Sequence, residues 1–328
     1  METLLLDRSA VESAAGIEDV VEAVEDAFAA YARGDVLMPA KSYIELDEYN
    51  GDFRSMPAYM DAGGWDAAGI KWVNVHPDNP DRFDLPTVMA TIIYSDPETA
   101  FPLAIMDGTS VTMYRTGAAA AVATKYLAVE GATSLGIIGA GDQADTQLEA
   151  IASVRPIETV VVNDIDEAAV RSFVDRYADR FDVRSGTVED AAGCDILSTV
   201  TPVEDPIVPA SAVGERTHIN AMGADAAGKQ ELDSDILRDA KLIIDDYEQC
   251  THSGEINVPW AAGELDEDDL DGMLGEVVVG STHGRTPDDG VTVFDSTGLA
   301  IQDVATARVV YASAADGQIG RSIDLLQV

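Results

Sequence analysis

The strongest constraint on the fold is an apolar run that breaks into glycines and then continues as a helix. Residues 135–148 read LGIIGAGDQADTQL, in which Gly139, Gly141 and Ala144 form the pattern GxGxxA. The first glycine permits a tight turn, the second lets a pyrophosphate approach the backbone, and the small third residue lets helix and strand pack closely. The pattern predicts a phosphate-binding helix N-terminus, with an ordinary strand–turn–helix as the alternative.

The segments beyond this turn alternate between short apolar strands and helices. They read TVVVND, DEAAVRSFVDRYA, FDVRSG, VEDAAG, DILSTV, THINAMG and KLIIDD. This alternation predicts a Rossmann-type, doubly wound parallel sheet. Asp164 ends TVVVND about 20 residues beyond the turn, where a carboxylate accepts hydrogen bonds from ribose hydroxyls and repels a 2′-phosphate. We therefore expect NAD rather than NADP, although acids are common throughout this chain.

The residues before the turn follow a different pattern. Apolar residues at steps of three and four predict one helix over residues 9–33, ended by Gly34-Asp35. The segments KSYIEL, GIKWVNV, TVMATIIYS and FPLAIMDG predict an antiparallel or mixed sheet, and TGAAAAVATKYLA predicts a helix. Near the end, Ser296 or Thr297 is placed to cap a helix that returns to this first domain. Its core-facing residues would be Leu299, Ile301, Val304 and Val309.

The composition excludes several classes of protein. The formal net charge of −40, from 60 acidic and 20 basic residues, disfavours nucleic acid as a partner. The acids are dispersed along the chain, which favours a surface adapted to molar salt over a disordered tail. The chain has neither a membrane-spanning apolar run nor a basic leader, so we expect a cytoplasmic protein. Cys194 and Cys250 are expected to be buried free thiols, and the histidines lack metal-ligand spacing, so no metal site is expected.

This acidic chain has only five lysines, at positions 41, 71, 125, 229 and 241. Because the surface has so few lysines, each one is a candidate for a functional role. Strand alternation places Lys71 opposite Trp72, where partial desolvation would lower its pKa; a lysine reaching out to water is the alternative. Asp225 follows an apolar strand, four residues before Lys229, as a candidate general base or a turn-capping residue.

Two arginines are candidates for binding anions. Arg54, in GDFRSMPAYM, suits a substrate carboxylate, with a surface salt bridge as an equal alternative. Arg115, in TMYRTGAA, stands just before a helix and suits a phosphate or a substrate carboxylate.

Taken together, these segments resemble the ornithine cyclodeaminase/mu-crystallin family, and within it the archaeal alanine dehydrogenases. The matching segments read GDFRSMPAYM, GIKWVNVHPDNP, LPTVMATI, FPLAIMDGT, YRTGAAAAVATKYLA, GIIGAGDQADTQL, THINAMGADAAGKQELD, HSGEIN and TVFDSTGLAIQD. The resemblance implies an α/β substrate-binding and dimerisation domain, formed by residues 1–116 with 305–328, and an NAD-binding Rossmann domain over residues 117–304. It also implies a homodimer.

The resemblance also implies roles for individual residues. Arg54, Lys71 and Lys229 would bind substrate, Asp225 would act as acid or base, and Lys71 and Lys41 would take part in catalysis. The positions implied for the cofactor are Thr87, Arg115, Gly139, Gly141, Asp142, Gln143, Ala144, Asp164, Thr199 and Gly223.

The chemistry implied by the resemblance is oxidation of an amino acid to an imine by NAD, followed by hydrolysis to an oxo acid and ammonia. L-Alanine and pyruvate are the first choice. Cyclisation of L-ornithine to L-proline is the second, and imine or ketimine reduction is the third. A non-enzymatic binding protein is the last, since such a protein need not retain Lys41, Arg54, Lys71 and Asp225 together.

Overall fold

The chain is described by a computed structural model that covers residues 2–327. Contacts divide it into a first unit, up to Arg115 and from Leu299 onwards, and a second unit, Thr116–Gly298. The domains predicted above divide the chain at slightly different residues, 116/117 and 304/305. Their assignment to substrate and NAD stays a prediction. No helix within residues 2–327 is long and apolar enough to cross a membrane.

The first unit combines a sheet with two long helices. Its strands are β1 (Thr3–Leu6), β2 (Val36–Leu37), β3 (Ser42–Leu46), β4 (Gly51–Asp61), β5 (Asp66–Val75), β6 (Val88–Ser95), β7 (Pro102–Asp107) and β16 (Arg321–Ile323). Its helices are α1 (Arg8–Ala14), α2 (Ile17–Arg33), α3 (Asn79–Phe83), the start of α4 (Gly108–Leu127) and α12 (Ala300–Gly317). The sheet order is β16-β1-β7-β6-β5-β4-β2, with β3 also paired to β4.

The first sheet is mixed, as predicted: β1 and β7 are parallel and the remaining neighbours are antiparallel. Helices α2 and α12 contact each other, and α12 lies against β4, β5 and β6. A Cβ added to Gly69 would come within 3.3 Å of Val304, so this glycine permits close contact between β5 and α12. The helices therefore cover one face of this sheet, and Lys71 lies on that covered face.

The second unit is a parallel sheet with helices between its strands. Its strands are β8 (Ser134–Ile138), β9 (Thr159–Asn163), β10 (Asp182–Ser185), β11 (Ile196–Thr199), β12 (His218–Ala221), β13 (Lys241–Ile244), β14 (Gly272–Met273) and β15 (Thr292–Asp295). Its helices after α4 are α5 (Ala144–Val154), α6 (Glu167–Tyr177), α7 (Val188–Ala192), α8 (Ser234–Asp239), α9 (Tyr247–Ser253), α10 (Asn257–Ala261) and α11 (Leu274–Val278). The order is β10-β9-β8-β11-β12-β15-β13-β14, with every pair parallel.

This arrangement confirms the Rossmann-type, doubly wound fold class. The chain moves outward from β8 to β9 and β10, then returns to β11 on the other side of β8, so the strand order reverses between β8 and β11. Ligands bind such sheets at the carboxyl ends of the strands near this reversal. Both cysteines are buried free thiols, as expected.

Four local features differ from the predictions. The helix predicted over residues 9–33 is two helices, because Ala15 and Gly16 have extended dihedral angles and Gly16 is the N-cap of α2. Gly34 does end α2, at φ 79°. Strand β4 was not predicted because it contains Gly51 and Pro57. On one edge of β4, β3 pairs with residues 51–55 and β2 pairs with residues 59–60. Pro57 lies between these two pairings, at a position of that edge where its missing N–H costs no ladder hydrogen bond.

The predicted capping of α12 by Ser296 or Thr297 is also wrong. Both residues instead donate hydrogen bonds to the buried carboxylate of Asp245. The first turn of α12 is closed by Gln302, whose Oε1 accepts from the backbone N–H of Leu299 at 3.1 Å. Val309 is half-buried, whereas the other three residues predicted to face the core are buried.

Candidate functional site

The glycine turn after β8 has the geometry of a phosphate-binding loop. Gly139 has φ 104°, and a Cβ there would come within 2.9 Å of the Val200 carbonyl oxygen. A Cβ on Gly141 would meet nothing within 4 Å, so the backbone is open to an approaching group. Ala144 is fully buried at the start of α5, whose N-cap residue Gln143 makes no side-chain capping bond. The first amides of α5 therefore fit a bound phosphate.

Asp164 directly follows β9, as predicted. Its Oδ2 accepts a 2.6 Å hydrogen bond from the Ala140 N–H and its Oδ1 accepts one of 2.8 Å from the Asp166 N–H. The carboxylate is thereby fixed beside the glycine turn. A cavity of about 560 Å³ adjoins the carboxyl end of β9, and it is lined by residues including Asn163, Gly186, Val188 and Ile207. Apolar side chains such as those of Val188 and Ile207 fit a flat heteroaromatic ring.

Two further predicted cofactor residues lie at the carboxyl ends of β11 and β12. Thr199 ends β11 and is fully buried, and Gly223 follows β12. Both donate hydrogen bonds to Oε2 of Glu231, at 2.7 Å from the Thr199 hydroxyl and 3.0 Å from the Gly223 N–H. Burial raises the pKa of Glu231, while the hydrogen bonds from Thr199 and Thr201 lower it.

Asp225 and Lys229 form an ion pair in the loop after β12. The Nζ of Lys229 lies 2.7 Å from Oδ1 of Asp225, and the two side chains are 24% and 42% exposed. The backbone carbonyl of Lys229 is also bound by the Asn257 side chain at 2.8 Å. Asp225 is therefore accessible, and its charge is balanced by a lysine on the same loop.

Lys71 is the most deeply buried cation predicted for the site. Its side chain is 2% exposed, and its Nζ lies 2.8 Å from Oδ1 and 2.7 Å from Oδ2 of Asp303 in α12. The Thr112 hydroxyl oxygen accepts a weaker bond at 3.4 Å. Burial lowers the pKa of Lys71 to about 8; the Asp303 carboxylate opposes this shift, and the charge of Arg115 adds to it. Trp72 is 42% exposed on the opposite face, as strand alternation predicted.

Asp303 joins Lys71 to a second predicted residue, Arg115. The Nε of Arg115 lies 3.3 Å from Oδ1 of Asp303, and its Nη1 donates to Oε1 of Gln302 at 3.5 Å. Both side chains of this ion pair are nearly buried. One carboxylate thus faces two cations inside the first unit, an arrangement that leaves one excess positive charge.

Arg54 and Lys71 lie on the same face of the first sheet. Lys71 is opposite Met56 in the β4–β5 ladder and Arg54 is two residues before Met56, so both point to the same side. The guanidinium makes a two-pronged contact with Asp52, Nε to Oδ1 at 2.9 Å and Nη2 to Oδ2 at 3.0 Å. It also lies 5.4 Å from the centre of the Tyr43 ring. Asp52 thereby orients Arg54.

Lys41 and Thr87 complete the predicted residues of the first unit. Lys41 directly precedes β3 and is close enough for its charge to lower the pKa of Lys71. Thr87 directly precedes β6, and its carbonyl accepts the His76 N–H at 2.8 Å. The first unit therefore brings Lys41, Lys71 and Arg115 into one electrostatic neighbourhood.

Sequence reasoning missed three acids that position these groups: Asp52, Glu231 and Asp303. Asp303 carried a usable signal, because Gln302 and Asp303 interrupt the apolar segment GLAIQDVATA, which forms the buried first half of α12. Glu231 and Asp52 carried none, since acids flank many segments of this chain.

Comparison with known proteins agrees with this architecture. The model of the ornithine cyclodeaminase/mu-crystallin family matches residues 1–318. The alanine dehydrogenase of Archaeoglobus fulgidus is 47% identical over 329 residues, all of both chains. A solved archaeal alanine dehydrogenase dimer with bound NAD superimposes with a TM-score of 0.93, at 48% identity, over 99% of this chain and 100% of that one.

A second solved relative acts on a different kind of substrate. The Δ1-pyrroline-2-carboxylate reductase of Thermococcus litoralis, in complex with NADH and L-proline, superimposes with a TM-score of 0.92 at 36% identity. The match covers 98% of this chain and 100% of that one. The relatives thus share one fold and are named for different reactions. By the extent of the family match and these identities, the chain belongs to the ornithine cyclodeaminase/mu-crystallin family.

Proposed function

We propose that this protein catalyses the NAD-dependent oxidative deamination of L-alanine to pyruvate and ammonia, and the reverse reaction. The observation that carries the proposal is the buried Lys71–Asp303 ion pair on the same sheet face as Arg54. A buried amine with a pKa near neutrality beside a carboxylate-binding arginine suits proton transfer on an α-amino acid. The 47% identity to an alanine dehydrogenase over the whole chain supports alanine as substrate.

The cofactor is NAD, which relatives of known structure carry as NAD or NADH. Gly139, Gly141 and the first turn of α5 would hold its pyrophosphate, and Asp164 its adenosine ribose. When bound, NAD supplies a hydride acceptor for the α-carbon of the amino acid. Asp164 disfavours the 2′-phosphate of NADP through charge repulsion.

Arg54 binds the substrate carboxylate. Asp52 holds the Nε and Nη2 atoms of the guanidinium and so fixes the orientation of its plane. Two parallel hydrogen bonds fix the carboxylate and with it the orientation of the α-hydrogen. Burial of 87% of the Arg54 side chain strengthens this contact.

Lys71 transfers protons. With a pKa of about 8 it exists in both protonation states near neutral pH. Its neutral amine takes a proton from the substrate ammonium, and its ammonium form then assists the addition of water to the imine carbon. Asp303 keeps the Nζ in place, and the charge of Lys41 favours the neutral amine.

Asp225 takes the proton of the water that attacks the imine. Its 42% exposed carboxylate is accessible to water, and Lys229 holds it in one orientation at 2.7 Å. The proton returns to the leaving nitrogen as ammonia departs, so the residue ends in its starting state.

Reduction of a cyclic imine is the second candidate function. The solved pyrroline-2-carboxylate reductase that covers this chain almost completely supports it. Arg54 and Lys71 serve this reaction equally well, because a cyclic imino acid has the same carboxylate and the same nitrogen.

The test is a set of assays in about 1 M KCl. Purified protein with NAD and L-alanine is expected to produce NADH and pyruvate in equal amounts. L-Ornithine yielding proline and ammonia without net NADH would identify a cyclodeaminase instead, and oxidation of NADH with Δ1-pyrroline-2-carboxylate alone would identify a reductase. Arg54→Leu is expected to abolish turnover and retain NADH binding, whereas the surface variant Arg82→Leu should leave both unchanged.

We also propose a homodimer formed through the outer face of the first sheet. Apolar side chains on the face opposite Lys71 are exposed, among them Leu37, Trp72 and Ile93, at 69%, 42% and 40%. An exposed apolar face of this kind marks a protein interface. Sedimentation equilibrium is expected to give twice the chain mass of 34.7 kDa, and Ile93→Asp to give the single chain mass.

A further inference from the structure

Four buried acids run along the carboxyl ends of neighbouring strands in the second unit. We call Glu231, Glu255, Asp295 and Asp245 the buried acid row; all four are 0% exposed. Glu231 contacts Thr199 at the end of β11 and Gly223 after β12. Asp295 ends β15 and Asp245 directly follows β13, and the strands β11, β12, β15 and β13 are adjacent in that order. The row therefore lies at the edge of the sheet where ligands bind doubly wound folds.

Glu231 joins the loops that follow β11 and β12. Its Oε2 accepts from the Thr199 hydroxyl and the Gly223 N–H, and its Oε1 accepts from the Thr201 N–H at 2.8 Å and the Thr201 hydroxyl at 2.7 Å. A Cβ on Gly223 would come within 2.5 Å of the Glu231 Oε2. Only glycine at position 223 permits this contact, and the four donors satisfy both carboxylate oxygens.

The other members of the row fix the position of Glu231. Glu255 accepts from the backbone N–H groups of Glu231, at 2.9 Å, and Leu232, at 2.6 Å. Asp295 in turn accepts from the N–H groups of Glu255, at 2.9 Å, and Ile256, at 3.2 Å. Glu255 thus holds the backbone that carries Glu231, and Asp295 holds the backbone that carries Glu255.

Asp245 ends the row. It accepts hydrogen bonds from the Ser296 hydroxyl and from the N–H groups of Thr297 and Gly298, each at 2.9 Å. These three residues connect β15 to the chain segment that leads into α12. The contacts of Glu231, Glu255 and Asp295 are with backbone amides and hydroxyls, so each acid supplies an acceptor to backbone N–H groups of the connecting segments.

We infer that Glu231 is a positioning residue for the reaction: it sets the loop after β11 and the loop after β12 in the arrangement that NAD and Asp225 require. This inference rests on the proposed function. Thr199 and Gly223 are proposed cofactor residues, and Asp225 is two residues beyond Gly223. A shift of the Gly223 backbone therefore moves the proposed base together with the cofactor contacts, and small displacements of reacting groups reduce rates strongly.

The isosteric substitution Glu231→Gln tests the inference. A glutamine has one acceptor oxygen, so its amide group faces either the Thr201 N–H or the Gly223 N–H, donor against donor. Asp195→Asn is the matched control, because Asp195 also holds backbone N–H groups, those of Thr133 at 2.9 Å and Ser134 at 3.0 Å, but it lies before β11 and contacts neither loop. NADH dissociation constants, kcat and KM for L-alanine, thermal unfolding, and hydrogen exchange of residues 199–203 and 221–225 without ligand are measured for both variants.

For Glu231→Gln we expect faster exchange in both loops, NADH binding about tenfold weaker and kcat reduced at least as much. For Asp195→Asn we expect a lower unfolding temperature with NADH affinity within about twofold of the parent protein. If Glu231→Gln leaves loop exchange and NADH affinity unchanged, or if both variants weaken NADH equally, the inference is wrong. Should Glu231→Gln not fold, Thr201→Val, which removes one donor, is expected to give the same changes at smaller size.

The result also separates this inference from the proposed function. A parent protein that binds NADH but does not oxidise alanine would overturn the substrate assignment, while loop exchange and NADH affinity would still decide the role of Glu231. A parent protein that binds no NADH would overturn both.

Discussion

The two units bury ionisable groups in opposite ways. In the first unit, Lys71, Arg115 and Asp303 share one enclosed space, so a carboxylate balances cations and positive charge is in excess. In the second unit, Glu231, Glu255 and Asp295 are satisfied by backbone amides and hydroxyls. Burial lowers the pKa of the lysine and raises the pKa of the acids, because it disfavours the charged form in both cases. The difference is that the lysine can exchange protons with a substrate, whereas the acids hold loops.

The largest expected effect is the loss of activity in Lys71→Met. Methionine fills the space of the lysine side chain but transfers no proton, so we expect kcat for alanine oxidation to fall about 10³-fold. Lys125→Met, at an exposed position of α4, should stay within about twofold of the parent protein. Steady-state kinetics at several pH values measure both, and comparable losses in the two variants would remove Lys71 from the mechanism.

The second expected effect concerns the stability of the second unit. Burial raises the pKa of Asp295 from 3.8 to about 7, and the charge of Asp245 adds to the shift. The protonated form is therefore favoured in the folded state. This contribution to the free energy of unfolding is fully present below pH 3.8. It falls by about 1.4 kcal/mol per pH unit as the pH rises from 3.8, and it is lost once the pH has risen through 7. Asp295→Asn is expected to remove this slope from the free energy of unfolding.

The titration of His218 changes the free energy of unfolding with pH in the opposite direction, so its effect must be separated from that of Asp295. Burial lowers the pKa of this histidine from 6.5 to about 3, so its contribution to stability is present above pH 6.5 and is lost as the pH falls. The difference between Asp295→Asn and the parent protein, from urea unfolding between pH 4 and 8, isolates the aspartate. The surface variant Asp175→Asn is the control, and an unchanged slope in Asp295→Asn would show that the aspartate is ionised throughout.

The third expected effect is a change in the pH dependence of the first unit. The Asp303 carboxylate raises the pKa of Lys71 against the effect of burial. Asp303→Asn should therefore move the midpoint of the pH–rate profile below that of the parent protein, with a loss of about tenfold at the optimum as Lys71 loses its orientation. A midpoint that does not move would mean that another group determines the profile.

The parts of the fold that local patterns encode were predictable from the sequence. The parallel sheet, the glycine turn and the orientation of Lys71 all follow from the spacing of neighbouring residues. The partner of Lys71 did not follow, because Asp303 is 232 residues away and the contact depends on how α12 lies on the sheet. The role of Glu231 was likewise hidden, since its four donors come from three residues, Thr199, Thr201 and Gly223, that only the folded sheet brings together. In a chain with 60 acidic residues, composition gives no means of separating these acids from surface ones.

The smallest expected effect is at an exposed ion pair, which completes the comparison with the two buried arrangements. Arg171 and Glu167 lie 3.2 Å apart on α6, with side chains 67% and 88% exposed. Glu167→Gln loses this pair and a favourable charge near the helix N-terminus, but it also relieves repulsion in a chain of net charge −40. These contributions oppose one another, so the free energy of unfolding should change by less than about 0.5 kcal/mol.

Urea unfolding in about 0.1 M and about 1 M KCl measures this change. The higher salt screens exposed charges and should therefore reduce the change further. A loss above about 1 kcal/mol in both salts would mean that this surface pair acts like a buried one.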